Sequence, residues 1–76
     1  MKELLLYIVK NLVENPDAVS VNEVERDNAL VLELTVDPSD MGRVIGKQGR
    51  IAKAIRTLIR SASSREPKKV LVEILG

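Results

Sequence analysis

The residues with the clearest chemical use in this 76-residue chain lie together between positions 43 and 53. Arg43, Lys47, Arg50 and Lys53 supply positive charge there, and Gly46 and Gly49 leave bare backbone on either side of Lys47 and Gln48. Two glycines three residues apart mark a break in otherwise helical patterning, because glycine costs about 0.5–1 kcal/mol relative to alanine inside a helix. The pattern predicts a tight turn between two helices with amides and cations at its tip. Such a tip suits a phosphate chain, since the amides that open a helix carry the positive end of its dipole. We expect Gly46 and Gly49 alike to let a sugar–phosphate backbone approach without a side chain in the way, around the Lys47-Gln48 tip. Lys47, Arg50 and Arg43 would attract it over longer range, and Lys53 would extend its path. Ile45 is either core or, with Val36 of the preceding strand, the lining of a shallow apolar groove for bases.

Other chemistries find little support. The chain has no cysteine and no histidine, which removes disulfides, thiolate or imidazole metal sites and imidazole acid–base catalysis. No nucleophile is paired with a base, so no enzymatic activity, metal, cofactor or small-molecule substrate is expected. Gly42-x-x-x-Gly46-Lys47-Gln48 approaches a nucleotide-binding P-loop but is one residue short. It also offers glutamine where the magnesium-binding hydroxyl belongs, and a helix rather than a strand precedes it. A chain of this length buries about 60% of its unfolded surface, enough for a core and too little for an enclosed catalytic cleft. The apolar run Leu4 to Val9 is too short for a membrane span or a signal-peptide core. A cytoplasmic location is expected.

Formal charge is +1, and that near-balance hides a split. Residues 1–40 carry three basic and nine acidic side chains, a balance of −6, whereas residues 41–76 carry nine basic and two acidic, a balance of +7. One face meant for a polyanion accounts for this, as does simple attraction between the halves.

The surrounding pattern says what must position the turn. Apolar residues at three- and four-residue spacing predict a helix from Lys2 to Asn15, stopped by Asn15-Pro16-Asp17. Val19 to Arg26 and Ala29 to Val36 read as a hairpin about Asp27-Asn28, with Leu30, Leu32, Leu34 and Val36 on one face. Asp37 is a helix cap with Pro38 at the first helical position and Asp40 as a reciprocal capping carboxylate. That short helix is expected to end near Ile45, a second to run from Arg50 to Ser63, and a last strand from Lys69 to Leu75. The order is α-β-β-α-α-β, an α+β fold. The helical crossover before the last strand favours a parallel pair. Three helices would cover one face of a three-stranded mixed sheet.

On the second helix of the pair, Ile51, Ala52, Ala54, Ile55, Leu58, Ile59 and Ala62 fall on one broad side, opposite Arg50, Lys53, Arg56 and Arg60. Six cations and no acid lie between Arg43 and Arg60. Solvated helix faces ordinarily mix both signs. Val44-Ile45-Gly46-Lys47-Gln48-Gly49-Arg50 resembles the signature of the KH domain, a single-stranded nucleic-acid-binding module whose GxxG loop clamps about four nucleotides. The element order resembles the type II KH arrangement over residues 1–76, read as one domain. The chain is similar to the small stand-alone bacterial KH proteins of the KhpA type. One position departs from the pattern: Ala52 stands where KH domains carry a bulky aliphatic, with Ile51 and Ile55 available to fill the space.

The resemblance implies an RNA chaperone or post-transcriptional regulator. It would bind single-stranded RNA through Arg43, Ile45, Gly46, Lys47, Gln48, Gly49, Arg50 and Lys53. It also implies a homodimer, or a heterodimer with a larger multidomain KH-containing protein. Val31, Leu71, Leu75 and Ile59 are candidate contacts for such pairing. Tyr7 is the sole aromatic, so base stacking contributes little and permissive binding is expected. A protein–protein adaptor and a single-stranded DNA binder using the same basic face are the competing readings.

Overall fold

The computed structural model describes residues 1–75. Three strands, Ser20–Arg26 (β1), Ala29–Thr35 (β2) and Lys69–Leu75 (β3), form one sheet in the order β1-β2-β3. β1 and β2 are an antiparallel hairpin with Val21 opposite Leu34 and Val24 opposite Val31. Asp27, at φ 52°, provides the left-handed residue in its turn. β2 and β3 run parallel, with Leu30 beside Val70 and Leu32 beside Val72. The crossover between them carries the helices Met41–Ile45 (α2) and Arg50–Ala62 (α3), as a parallel connection requires. The remaining helix, Lys2–Lys10 (α1), opens the chain.

Strand alternation decides which face is covered. Leu32 and Leu34 are buried in one core with Val70 and Val72 of β3, Leu5 and Val9 of α1, Val44 of α2 and Ile55 and Ile59 of α3. All three helices therefore pack on the same face of the mixed sheet. On the other face Arg26 bridges Glu33 at 2.9 Å and Glu73 at 3.4 Å. Val31, flanked there by Val24 and Leu71, is buried, while Leu71 and Leu75 are partly exposed.

Three expectations are corrected. The first helix ends at Lys10 instead of Asn15. Asn11 turns its side chain back to the Tyr7 carbonyl at 2.7 Å, and the amides of Glu14 and Asn15 donate to the Asp40 carboxylate at 3.1 and 3.0 Å. Amides engaged there cannot continue the helical ladder. By the same contacts Asp40 is no reciprocal cap: its carboxylate is committed to the chain end of α1 instead. Ile59 is also corrected, being fully buried in the core and so unavailable as a rim contact.

Candidate nucleic-acid interface

The turn is built from its N-terminal side. Asp37 accepts the Ser39 amide at 2.9 Å and the Ser39 hydroxyl at 2.7 Å, which fixes the 3₁₀ turn Pro38–Asp40 that leads into α2. Satisfying an otherwise orphan amide is what makes aspartate effective at this position. Five residues later α2 ends. The Gly46 amide still donates to the Gly42 carbonyl at 2.9 Å, but Gly46 itself takes φ 75° and ψ 177°. That conformation is essentially restricted to glycine. Lys47–Gly49 form a single 3₁₀ turn in which Gln48 (φ 57°, ψ 27°) and Gly49 (φ 72°, ψ 15°) are left-handed. α3 begins at Arg50.

The two glycines are required for different reasons. A Cβ on Gly46 would press on Ile51, whereas a Cβ on Gly49 would meet nothing within 4 Å. Gly46 is thus a packing and backbone requirement, and Gly49 is the position where bare backbone faces open space. Ala52 is buried, Ile55 lies in the core and Ile51 packs against it, which accommodates the small residue at position 52.

Lys47, Gln48 and Arg50 are exposed at the tip, and Lys53 is exposed one turn further along α3. None of these cations contacts an acidic side chain among the described residues. Arg43 differs. It lies on α2, pairs with Glu14 and stands 3.7 Å from Asp40, so much of its field is neutralised locally. Ile45, next to Gly46, is 38% exposed, whereas Val36 is buried in the core and does not line a groove. α3 is less apolar-sided in use than in pattern: Ala52, Ile55 and Ile59 are buried, but Ala54, Leu58 and Ala62 are exposed. Leu58, at 53% exposure, forms a shallow apolar surface with Ala54 and Thr57 beside Arg50 and Lys53.

The polar junction at Asp40 is the feature that sequence reasoning missed. Burial acts to raise the pKa of this carboxyl. The Glu14 amide, the Asn15 side chain and amide, and the Arg43 charge outweigh it, holding the carboxyl below its ordinary value. The ionised group ties the chain end of α1 to the start of α2, and α2 carries the turn. Its hydrogen-bond donors Glu14 and Asn15 lie 26 and 25 residues away, a separation for which the local sequence holds no signal.

The KH-domain model of KhpA and KhpB matches residues 2–74. The chain belongs to the KhpA/KhpB KH-domain family. Among relatives, it is 59% identical over 75 residues to the RNA-binding protein KhpA of Clostridium perfringens, covering 99% of this chain and 100% of that protein. The RNA-binding protein KhpA of Caldanaerobacter subterraneus is 57% identical with the same coverage. That of Listeria monocytogenes is 53% identical, covering 99% of each chain. Among solved structures, a crystal structure of an Aquifex aeolicus Era variant bound to GDP and a fluoroaluminate superposes with a TM-score of 0.65 at 25% identity. The match takes in 96% of this chain and 28% of the larger Era chain. The KH fold of the KhpA/KhpB family and the α-β-β-α-α-β order observed here agree.

Proposed function

We propose that this chain is a non-enzymatic single-stranded RNA-binding protein, acting in the cytoplasm as an RNA chaperone or post-transcriptional regulator. The backbone of about four nucleotides rests on the Gly46–Gly49 turn. Lys47 and Arg50 attract it, Gln48 sits at the tip, Ile45 offers an apolar contact to a base and Lys53 extends the path. Arg43 contributes where a phosphate competes with Glu14. The observation that carries this reading is a turn with open space at Gly49 and cations at its tip that pair with no acid among the described residues, in a chain of the KhpA/KhpB family. The names of the relatives, RNA-binding protein KhpA, support it.

The test is fluorescence anisotropy with single-stranded oligouridylate for the wild type, Lys47→Ala and Gly49→Asp. Wild-type binding that Gly49→Asp abolishes is expected. Equal affinity in that variant would refute the turn as the site. Tighter binding of an oligodeoxynucleotide of matching sequence would redirect the reading to single-stranded DNA. An adaptor role would show as a complex that survives nuclease treatment.

Pairing with a second KH-bearing chain, as a homodimer or with a larger multidomain partner, is the second part of the proposal. Leu58 on α3 and Leu71 with Leu75 on the open sheet face are exposed apolar surfaces available for it. Sedimentation of Leu58→Asp and of Leu71→Asp distinguishes the two. A wild-type protein that sediments as a monomer at all concentrations removes self-association.

A further inference from the structure

We propose that the Glu14 carboxylate is an internal competitor of bound RNA. It occupies the Arg43 guanidinium in the free protein, and a phosphate must take its place before Arg43 can serve the turn. This rests on the reading of the Gly46–Gly49 turn as the RNA site and assigns a regulating residue to it.

Six cations and no acid lie between Arg43 and Arg60. Of the six, Arg43 alone enters an ion pair among the described residues. Its guanidinium meets two carboxylates: Nη2 donates to Glu14 Oε1, and Nε stands 3.7 Å from Asp40 Oδ1. Two carboxylates about one guanidinium leave a local excess of negative charge at the start of α2. Arg43 precedes Gly46 by three residues, about 4.5 Å along a helix axis. Screening at physiological ionic strength acts over about 8 Å, so a phosphate seated on the turn feels that excess.

The two carboxylates differ in what else they do. Asp40 is buried and accepts from the Glu14 amide, the Asn15 amide and the Asn15 side chain at 3.1, 3.0 and 3.0 Å. These bonds hold the chain end of α1 against α2 without help from Arg43. Glu14 takes part in them through its backbone amide only. Its side chain is 69% exposed, and its carboxylate has Arg43 as its one hydrogen-bond partner among the described residues. The fold therefore fixes where this carboxylate stands, while its charge serves Arg43 alone. An exposed ion pair contributes little to stability. A phosphodiester offers a guanidinium the same single negative charge and paired oxygens, so it can replace Glu14 like for like.

The exchange has a signature in salt. A phosphate that engages a free cation releases counterions and adds about 0.7 to the log–log slope on a single strand. Arg43 is already neutralised by Glu14, so its transfer to RNA adds little to that slope. The liberated Glu14 charge then stands beside the bound strand. RNA thus gains less from Arg43 than from Lys47 or Arg50, and Glu14 acts as a brake on binding.

The experiment is anisotropy of single-stranded octauridylate across a salt series. It uses the wild type, Glu14→Gln, Arg43→Gln, the Glu14→Gln/Arg43→Gln pair, Glu3→Gln and Gly49→Asp. Glutamine keeps the length of the Glu14 side chain and spares its amide, and Glu3, an exposed acid on α1, controls for net charge. Glu14→Gln should bind about two- to fivefold tighter, the worth of an exposed ion pair, with an unchanged thermal midpoint and a slope steeper by about 0.7. Arg43→Gln, the pair and Glu3→Gln should all keep the wild-type slope. Wild-type affinity and slope in Glu14→Gln would overturn the brake. A steeper slope that persists in the pair would also overturn it, since Glu14 would then act without Arg43. Weaker binding by Glu14→Gln with a lowered thermal midpoint would make the carboxylate a support of the turn and overturn it equally. Failure of the wild type to bind, or undiminished binding by Gly49→Asp, would instead overturn the turn-based reading.

Discussion

Gly46 and Ile51 meet across the turn: a Cβ built on Gly46 would lie 2.9 Å from the Ile51 Cβ and 3.0 Å from the Ile51 amide nitrogen. Gly46 also takes φ 75° and ψ 177°, so a side chain there meets strain and a clash together. Gly49 is left-handed with open space around it. Gly46→Ala should therefore cost about 1–3 kcal/mol in backbone strain, with a comparable overpacking cost limited by how far the turn relaxes. Gly49→Ala should cost about 1 kcal/mol. Urea unfolding of the two variants measures the difference. Equal destabilisation would mean that Ile51 moves aside freely. For a binding test, Gly49→Asp is the cleaner variant, because it sets a negative charge on the exposed amides while sparing the contact with Ile51.

Lys47 is exposed and pairs with no acid among the described residues. Lys47→Ala should leave stability within about 0.5 kcal/mol of wild type. RNA affinity should fall by a similar factor for every sequence tried, with the salt slope reduced by about 0.7. A loss confined to one RNA sequence would assign Lys47 to base readout.

How much of this was legible beforehand follows from the range of the interactions. The turn was legible because its signal is local: Gly46 and Gly49 demand left-handed or unhindered backbone wherever they stand, and Lys47 and Arg50 flank them in sequence. β2 was legible because Leu30, Leu32 and Leu34 alternate with Val31 and Glu33. The early end of α1 was not. Its apolar spacing continues through Leu12 and Val13, and helical periodicity alone carries it to Asn15. What stops it is the Asp40 carboxylate, a tertiary partner that outcompetes the helical carbonyls for the amides of Glu14 and Asn15. Arg43 shows the same limit: its charge is visible in the sequence, and its pairing with Glu14 is not. α3 shows the limit of hydropathy, since Leu58 and Ile59 are both apolar neighbours and only packing tells which one is buried.

Ile59 and Leu71 separate core from surface. Ile59 is fully buried among the helices and the sheet, whereas Leu71 is 40% exposed on the open face. Ile59→Ala should cost about 2–5 kcal/mol and lower the denaturation midpoint sharply. Leu71→Ala should cost about 1 kcal/mol or less. If chain pairing uses the open face, only Leu71→Ala should weaken it, read by sedimentation at matched fractions of folded protein. Loss of pairing in folded Ile59→Ala, with Leu71→Ala unaffected, would place the contact on α3.

Asp40 sets an acid limit on stability. Its carboxylate accepts from the Glu14 amide, the Asn15 amide and the Asn15 side chain, and Arg43 stands close by. These donors favour the ionised form and outweigh burial, so the folded-state pKa lies below the unfolded one. A group with that sign contributes stability fully above its unfolded pKa, near 3.9, and loses it as pH falls through the lower folded value. Protonation would leave the bound oxygens as poorer acceptors and loosen the start of α2 from the end of α1. Asp40→Asn should therefore lower Tm at pH 7, because an amide turns a donor toward amides that need an acceptor. It should also flatten the loss of Tm below about pH 4, since the titrating group is gone. Thermal unfolding of both proteins between about pH 7 and pH 2 gives the comparison. Parallel Tm curves throughout that range would show that another carboxylate sets the acid limit. A variant as stable as wild type at pH 7 would show that the junction does not hold α2 in place.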